Sequence, residues 1–297
     1  MSKYDELLKG LMDEKSFNKL TALKNPKVMD FIGSFAEHCE PASLYICDDS
    51  KEDNLYVRKK ALDLGEELQM ANSTQTIHWD GYGDQARDKK NTTFMVKKEN
   101  LERMKSLNSV EYEEGLAEIM SVSKGIMKGK DAVVLFFSEG PTESPFTIPC
   151  VQFTDSWYVA HSEMILYRTA YHHFLKMKDA EKDDFFSFIH SAGELDERNC
   201  TKNLDKRRIY MDTQHNMVYS MNNQYAGNSI GLKKHSMRLA INKAGKEGWL
   251  CEHMFVMAAV DKEKNRKTYF CGAYPSACGK TSTAMIPGEQ IVGDDIA

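Results

Sequence analysis

The chain has 297 residues, 41% of them hydrophobic and 28% charged, with a formal net charge of −5. That length suffices for one large domain or two ordinary ones around a sizeable core, and the mild acidity gives no support for a nucleic-acid binder, which would need a clustered basic face. No run of about 18 apolar residues occurs, so no membrane span is expected, and seven scattered cysteines without a Cys-x-x-Cys pair read as reduced thiols in a cytoplasmic protein, mostly buried, not as a disulfide framework or zinc site.

The charged start MSKYDELLKGLMDEK has neither the apolar core of a signal peptide nor the acid-poor composition of a transit peptide. Apolar spacing predicts helices over YDELLKGLMDEKSFNKLTAL and KVMDFIGSFAEHC. SLYICDD reads as a strand and the segment from Ser50 as a helix, followed by the polar loop HWDGYGDQARDKKNTT. Helices are expected around Glu99–Ser106 and Glu113–Lys128. DAVVLFFSEG is a compact apolar run ending in a Gly-Pro turn, hence a buried strand. GPTESPFTIPCVQFTDSWYV, rich in Pro and Thr, is expected to wind along a sheet edge or cleft. SEMILYRTAYHHFLKM reads as one helix and RRIYMDTQHNMVYSMN as a hairpin. KKHSMRLAINKAGKEG is a helix ending at Gly248. WLCEHMFVMAAVD and TYFCGAY are strands joined by the charged turn KEKNRK. PSACGKTSTAM is a loop and helix start, and EQIVGDDIA a third strand. Strand, phosphate loop, helix and strand with terminal aspartates form the skeleton of a P-loop domain, so the fold class is α/β.

The loop itself is irregular. Gly279-Lys280-Thr281 has the ending of a phosphate loop, but Tyr274 stands where its first glycine belongs. The tripeptide alone fits an ordinary helix start as well as a phosphate site; the preceding strand favours phosphate. Gly279 lets backbone approach phosphate oxygens, Lys280 can reach them, and Thr281 can bind a divalent cation. Asp294 and Asp295 form either a surface turn or the metal-supporting end of the next strand. His253, among apolar residues, reads alone as a core histidine. Lys233-Lys234 read alone as a solvated helix start.

Taken together, QYAGNSIGLKKHSMRLAINKAGKEGWLCEHM, AYPSACGKTSTAM and VGDDIA resemble phosphoenolpyruvate carboxykinase, in the branch that contains the GTP enzymes. DQARDKK, FFSEGPTESP and FTDSWYVAHSEM resemble its substrate-domain segments more loosely. Residues 1–75 match no segment of that family and read from their apolar spacing as a helical N-terminal extension; the resemblance implies a mixed α/β substrate domain over 76–248 and an incomplete P-loop phosphate-binding domain over 249–297. It implies a catalytic Mn2+ held by Lys234, His253 and Asp295, a donor set that suits manganese and in which the metal lowers the lysine pKa. Arg87 would grip the substrate carboxylate, with Tyr225, Gly227 and Ser276 completing the pocket. Lys280 and Thr281 would take the phosphoryl donor and its Mg2+ or Mn2+, with Asp294 supporting that metal. Ala277, Cys278, Gly279 and Ser282 complete the phosphate loop. Cys278 would be the family's reactive cysteine, its thiolate favoured by its surroundings, and Lys233, Ser276, Arg87, Cys278 and Lys280 form the catalytic set.

The implied reaction is decarboxylation of oxaloacetate to an enolate and phosphoryl transfer to give phosphoenolpyruvate, with a metal as Lewis acid. Tyr274, Ser282-Thr283, Ala226 and Lys89 depart from the GTP-enzyme pattern, and this sequence is more similar there to the pyrophosphate-dependent branch. Pyrophosphate is therefore the expected donor and GTP the alternative; the guanine-holding residues of the family lie beyond Ala297. The ending directly after the metal aspartate suggests a fragment or truncated product with little activity. Two other readings stay open: a general P-loop NTPase or kinase, and an inactive or regulatory protein of the same fold. Oligomeric state is not legible.

Overall fold

Local capping chemistry decides where the first elements begin and end. The computed structural model describes residues 3–177, 184–232, 234–274 and 277–294. Where one long N-terminal helix is expected, the chain forms α1 (Asp5–Leu11) and α2 (Glu14–Ala22). The break is chemical: Met12 is extended, and the Asp13 carboxylate caps α2 by accepting the Ser16 N–H at 2.7 Å. In α3 (Pro26–Cys39) Pro26 stands in the first turn behind an Asn25 cap, and Glu40 closes the helix in the left-handed region. After β1 (Ser43–Ile46), Ser50 caps α4 (Lys51–Asp63), as its sequence position predicts.

A small hairpin of β2 (Leu68–Gln69) and β3 (Thr76–Ile77) precedes the loop that carries Arg87. β4 (Thr92–Val96) takes residues that the sequence reading leaves in the loop, and β5 (Ser109–Glu111) is also a strand. The helix expected at Glu99–Ser106 is only a 3-10 turn at Lys98–Asn100 followed by further turns. α5 (Tyr112–Ser123) stops short of Lys128.

β6 (Asp131–Glu139) is the buried strand predicted. β7 (Ile148–Thr154) corrects the edge-or-cleft expectation: all its residues are buried, and it lies between two other strands. The helix expected over SEMILYRTAYHHFLKM is split into α6 (Trp157–Leu166) and α7 (Tyr171–Phe174) by β8 (Arg168–Thr169), which pairs with β6. β9 (Phe186–Ser191) follows, then the predicted hairpin of β10 (Arg208–Asp212) and β11 (Met217–Met221). α8 (Ala226–Ser229) and α9 (Lys234–Glu247) come next, the latter ending before Gly248.

Among the described residues these strands form one mixed sheet in the order β1-β6-β7-β9-β11-β10-β4-β5. The pairs β1/β6, β7/β9, β9/β11, β10/β4 and β4/β5 are parallel; β6/β7 and β10/β11 are antiparallel. Strand side chains alternate between faces. On one face Val134, Phe136, Val151 and Phe153 share a core with Leu8, Leu20, Val28 and Ile32, so the N-terminal helices cover the sheet. The alternate positions present Thr154, His190 and Ser220 to the other face, where the candidate site is built.

Contacts divide the chain at Ser236/Met237. The second unit contains β12 (Met254–Asp261), β13 (Arg266–Ala273), α10 (Lys280–Ala284) and β14 (Gln290–Gly293). β12 lies between β13 and β14 and is antiparallel to both. β13 and β14 therefore run the same way, and the phosphate loop and α10 form the crossover between them. Phe255, Met257 and Ala284 pack α10 onto β12.

Candidate functional site

In the first unit, the C-terminal end of β11 continues into Asn222–Tyr225, and this segment is tied from two sides. His190 Nε2 donates to the Asn223 carbonyl at 2.9 Å, while its Nδ1 lies 2.7 Å from Thr154 Oγ1. A carbonyl only accepts, so the proton sits on Nε2 and the Thr154 hydroxyl donates to Nδ1. Burial lowers the His190 pKa and keeps the ring neutral. From the other side, buried Asp84 accepts the N–H groups of Gln224 and Tyr225 at 2.7 and 3.2 Å.

Asp84 and Asp88 flank Arg87, and Arg207 bridges both: its Nη1 pairs with Asp84 and its Nε donates to Asp88 Oδ2 at 2.7 Å. Burial raises the Asp88 carboxyl, but donors from Asn91 and Arg207 outweigh it and hold the group below the usual carboxylate range. The Arg87 side chain is exposed and its guanidinium has no hydrogen-bond or ion-pair partner among the described residues. Tyr225 precedes α8, and a Cβ at Gly227 within it would sit 2.5 Å from the Tyr225 ring and 3.2 Å from Arg87 Cγ, so a larger residue would displace those side chains. Arg87, Tyr225 and Gly227 are thus brought together. Lys234 opens α9 in the same unit; Lys233 lies outside the described residues.

In the second unit, Tyr274 stands edge-on to buried Phe255, with ring centroids 5.6 Å apart. Ala277 and Gly279 both have positive φ, 64° and 88°, and Gly279 immediately precedes α10. Exposed Cys278 lies between these turns, and Lys280 is the first helical residue. Thr281 Oγ1 donates to Asp294 Oδ2 at 3.0 Å, so residues far apart in sequence meet at the end of β14. Asp294 Oδ1 is buried without a hydrogen-bond partner among the described residues. A hydroxyl and a carboxylate with an uncommitted buried oxygen are hard donors of the kind a divalent cation takes. His253 is half-buried just before β12 and is not a core strand residue. Ser276 and Asp295 lie outside the described residues. Of the seven cysteines, Cys39, Cys47, Cys150 and Cys251 are buried, and Cys271 and Cys278 are exposed.

Sequence reasoning misses Asp84, Arg207 and His190. The acids on both sides of Arg87 in GDQARDKK are a signal for the first, because a loop arginine between two carboxylates needs a second cation to leave it unpaired. His190 has no such signal, since its partners come from distant strands.

These features define a P-loop phosphate-binding unit in one chain with a mixed-sheet unit that carries a clamped arginine loop. The chain belongs to the phosphoenolpyruvate carboxykinase family. The family's N-terminal domain matches residues 30–245 and its C-terminal P-loop domain residues 249–297. A protein from Pyrococcus horikoshii named phosphoenolpyruvate carboxykinase [GTP] is 54% identical over 98% of this chain and 46% of its own length. One of the same name from Saccharolobus solfataricus is 40% identical over 98% of this chain and 45% of its own. The chicken cytosolic [GTP] enzyme is 32% identical over 92% of this chain and 46% of its own. The chain spans about half the length of the curated relatives it matches.

These names give no support to the expectation of pyrophosphate as donor: relatives more than half identical are named for GTP. The residues behind that expectation have local roles. Thr283 Oγ1 donates to the Gly279 carbonyl at 2.9 Å, Ser282 is exposed on α10, and Ala226 starts α8.

Proposed function

We propose that the chain acts as a GTP-dependent phosphoenolpyruvate carboxykinase, interconverting oxaloacetate and phosphoenolpyruvate plus CO2 in the cytoplasm. The observation that carries the reading is 54% identity over nearly the whole chain to a relative of that name. The domain division at 248/249 is kept as part of the proposal.

In this reading Arg87 grips the substrate carboxylate through its guanidinium fork, and Tyr225, Gly227 and Ser276 shape the pocket around it. The absence of a partner for the Arg87 guanidinium among the described residues supports that role, because an arginine already in an ion pair would have to break it to bind substrate. Lys234, His253 and Asp295 hold Mn2+, which supplies Lewis-acid stabilisation of enolate charge when bound. Thr281 and Asp294 hold the Mg2+ or Mn2+ that accompanies GTP, and the uncommitted Asp294 oxygen fits that task. The amides of Ala277 to Ser282 and the Lys280 ammonium receive the phosphoryl oxygens. Cys278 is the reactive cysteine of the phosphate loop, and Lys233 belongs to the catalytic set.

A general P-loop nucleotidase is the competing reading, and it gives His253 no role. Manganese binding followed by electron paramagnetic resonance separates the two. The carboxykinase reading expects His253→Ala to weaken the metal by at least about tenfold. Unchanged affinity would favour the nucleotidase.

A further inference from the structure

We infer that Asn228 is a positioning residue for Arg87, an inference that rests on Arg87 being the substrate-carboxylate clamp. Asn228 is only 1% exposed. Its Oδ1 accepts the Asp88 N–H at 3.1 Å and its Nδ2 donates to the Ala86 carbonyl at 3.1 Å. One side-chain amide therefore bonds both chain neighbours of Arg87. Its orientation follows from the partners, since a backbone N–H only donates and a carbonyl only accepts. Asn228 is itself held: its carbonyl accepts Ser220 Oγ at 2.7 Å and its N–H donates to the Tyr225 carbonyl at 2.8 Å.

The chemistry selects asparagine. Aspartate would set a carboxylate oxygen against the Ala86 carbonyl. Alanine would leave two backbone groups without partners. Glutamine would be a methylene too long for both bonds at once. Because Asn228 bonds the arginine loop through its side chain and the Tyr225 carbonyl through its backbone N–H, it ties the arginine loop and the pocket wall into one piece. The backbone of Arg87 is thus fixed while its guanidinium has no described partner, which is how a binding group is preorganised.

The test is calorimetric titration of phosphoenolpyruvate into the full chain and into Asn228→Ala, Asn228→Asp, Arg87→Ala and the Arg87→Ala/Asn228→Ala double variant. Two lost hydrogen bonds should weaken binding about tenfold in Asn228→Ala, with Asn228→Asp also impaired. In the Arg87→Ala background the Asn228 substitution should cost nothing further, because its effect runs through the arginine. Undiminished affinity in both single variants overturns the inference, and so does an equal loss with and without Arg87, which marks a general structural effect. If Asn228→Ala fails to fold, the isosteric Asn228→Asp decides alone. A different result, no binding by the unaltered chain or full binding by Arg87→Ala, removes the substrate-site reading itself.

Discussion

Arg87 and Thr281 show two ways in which neighbouring residues set the surroundings of a side chain. The carboxylates that flank Arg87 pair with Arg207, and the Arg87 guanidinium has no partner among the described residues. Thr281 is tied to Asp294, whose second oxygen has no hydrogen-bond partner among the described residues. Thr281→Val removes that hydroxyl at nearly constant volume. It should weaken Mg–GTP binding by about ten- to a hundredfold, the worth of one bond to a charged group, as measured by calorimetry. Glu139 offers a pH test. Its pKa is pushed up to about 8, chiefly by burial, against a hydrogen bond with Ser236 that lowers it. Ser236 Oγ lies within hydrogen-bond reach of both the Glu139 carboxyl and the Leu232 carbonyl, and burial outweighs that bond in favour of the neutral acid. The folded state then holds a proton that the unfolded state releases near 4.5. The resulting stability is complete below that value and is lost as pH rises through about 8. Glu139→Gln keeps the donor without the titration, so the difference in melting temperature between variant and parent should grow in favour of the variant from pH 5 to pH 8. A constant difference would count against a protonated Glu139. At this scale the loop residues Gly279, Lys280 and Thr281 were legible because a local motif encodes them. Asp84, Arg207 and His190 were not, because their partners are distant in sequence.

Elements were legible where capping and periodicity agree. Ser50 before α4 is written in the chain and found in the structure, and the helix expected over KVMDFIGSFAEHC forms as α3 behind an Asn25 cap that the sequence reading did not name. Ser50→Ala should cost about 1 kcal/mol of stability, read as a lower urea midpoint at unchanged slope; no change would mean that tertiary packing alone sets that helix start. Elements were misread where one local signal competes with another. Asp13 accepts from Ser16 and ends what apolar spacing alone would continue. Arg168–Thr169 are taken from the expected long helix by pairing with β6. Pro149 suggested an edge, since proline cannot donate to a ladder. It stands near the start of β7, opposite Ser138 at the far end of β6, and the rest of β7 runs through the core.

The whole chain resolves into two units, one built on a broad mixed sheet and one on a three-stranded sheet with the phosphate loop. The order of the motifs carried the family assignment, because three weak signals in sequence are far more restrictive than any one. Donor choice was not legible. Ser282 and Thr283 differ from a familiar pattern, yet their observed surroundings are solvent and the helix's own backbone. The measurement that tests the account most directly supplies the purified protein with oxaloacetate and manganese, adds GTP, ATP or pyrophosphate in turn, and follows phosphoenolpyruvate. The account predicts product with GTP and none with pyrophosphate. Product with pyrophosphate alone, or with no donor, would contradict it.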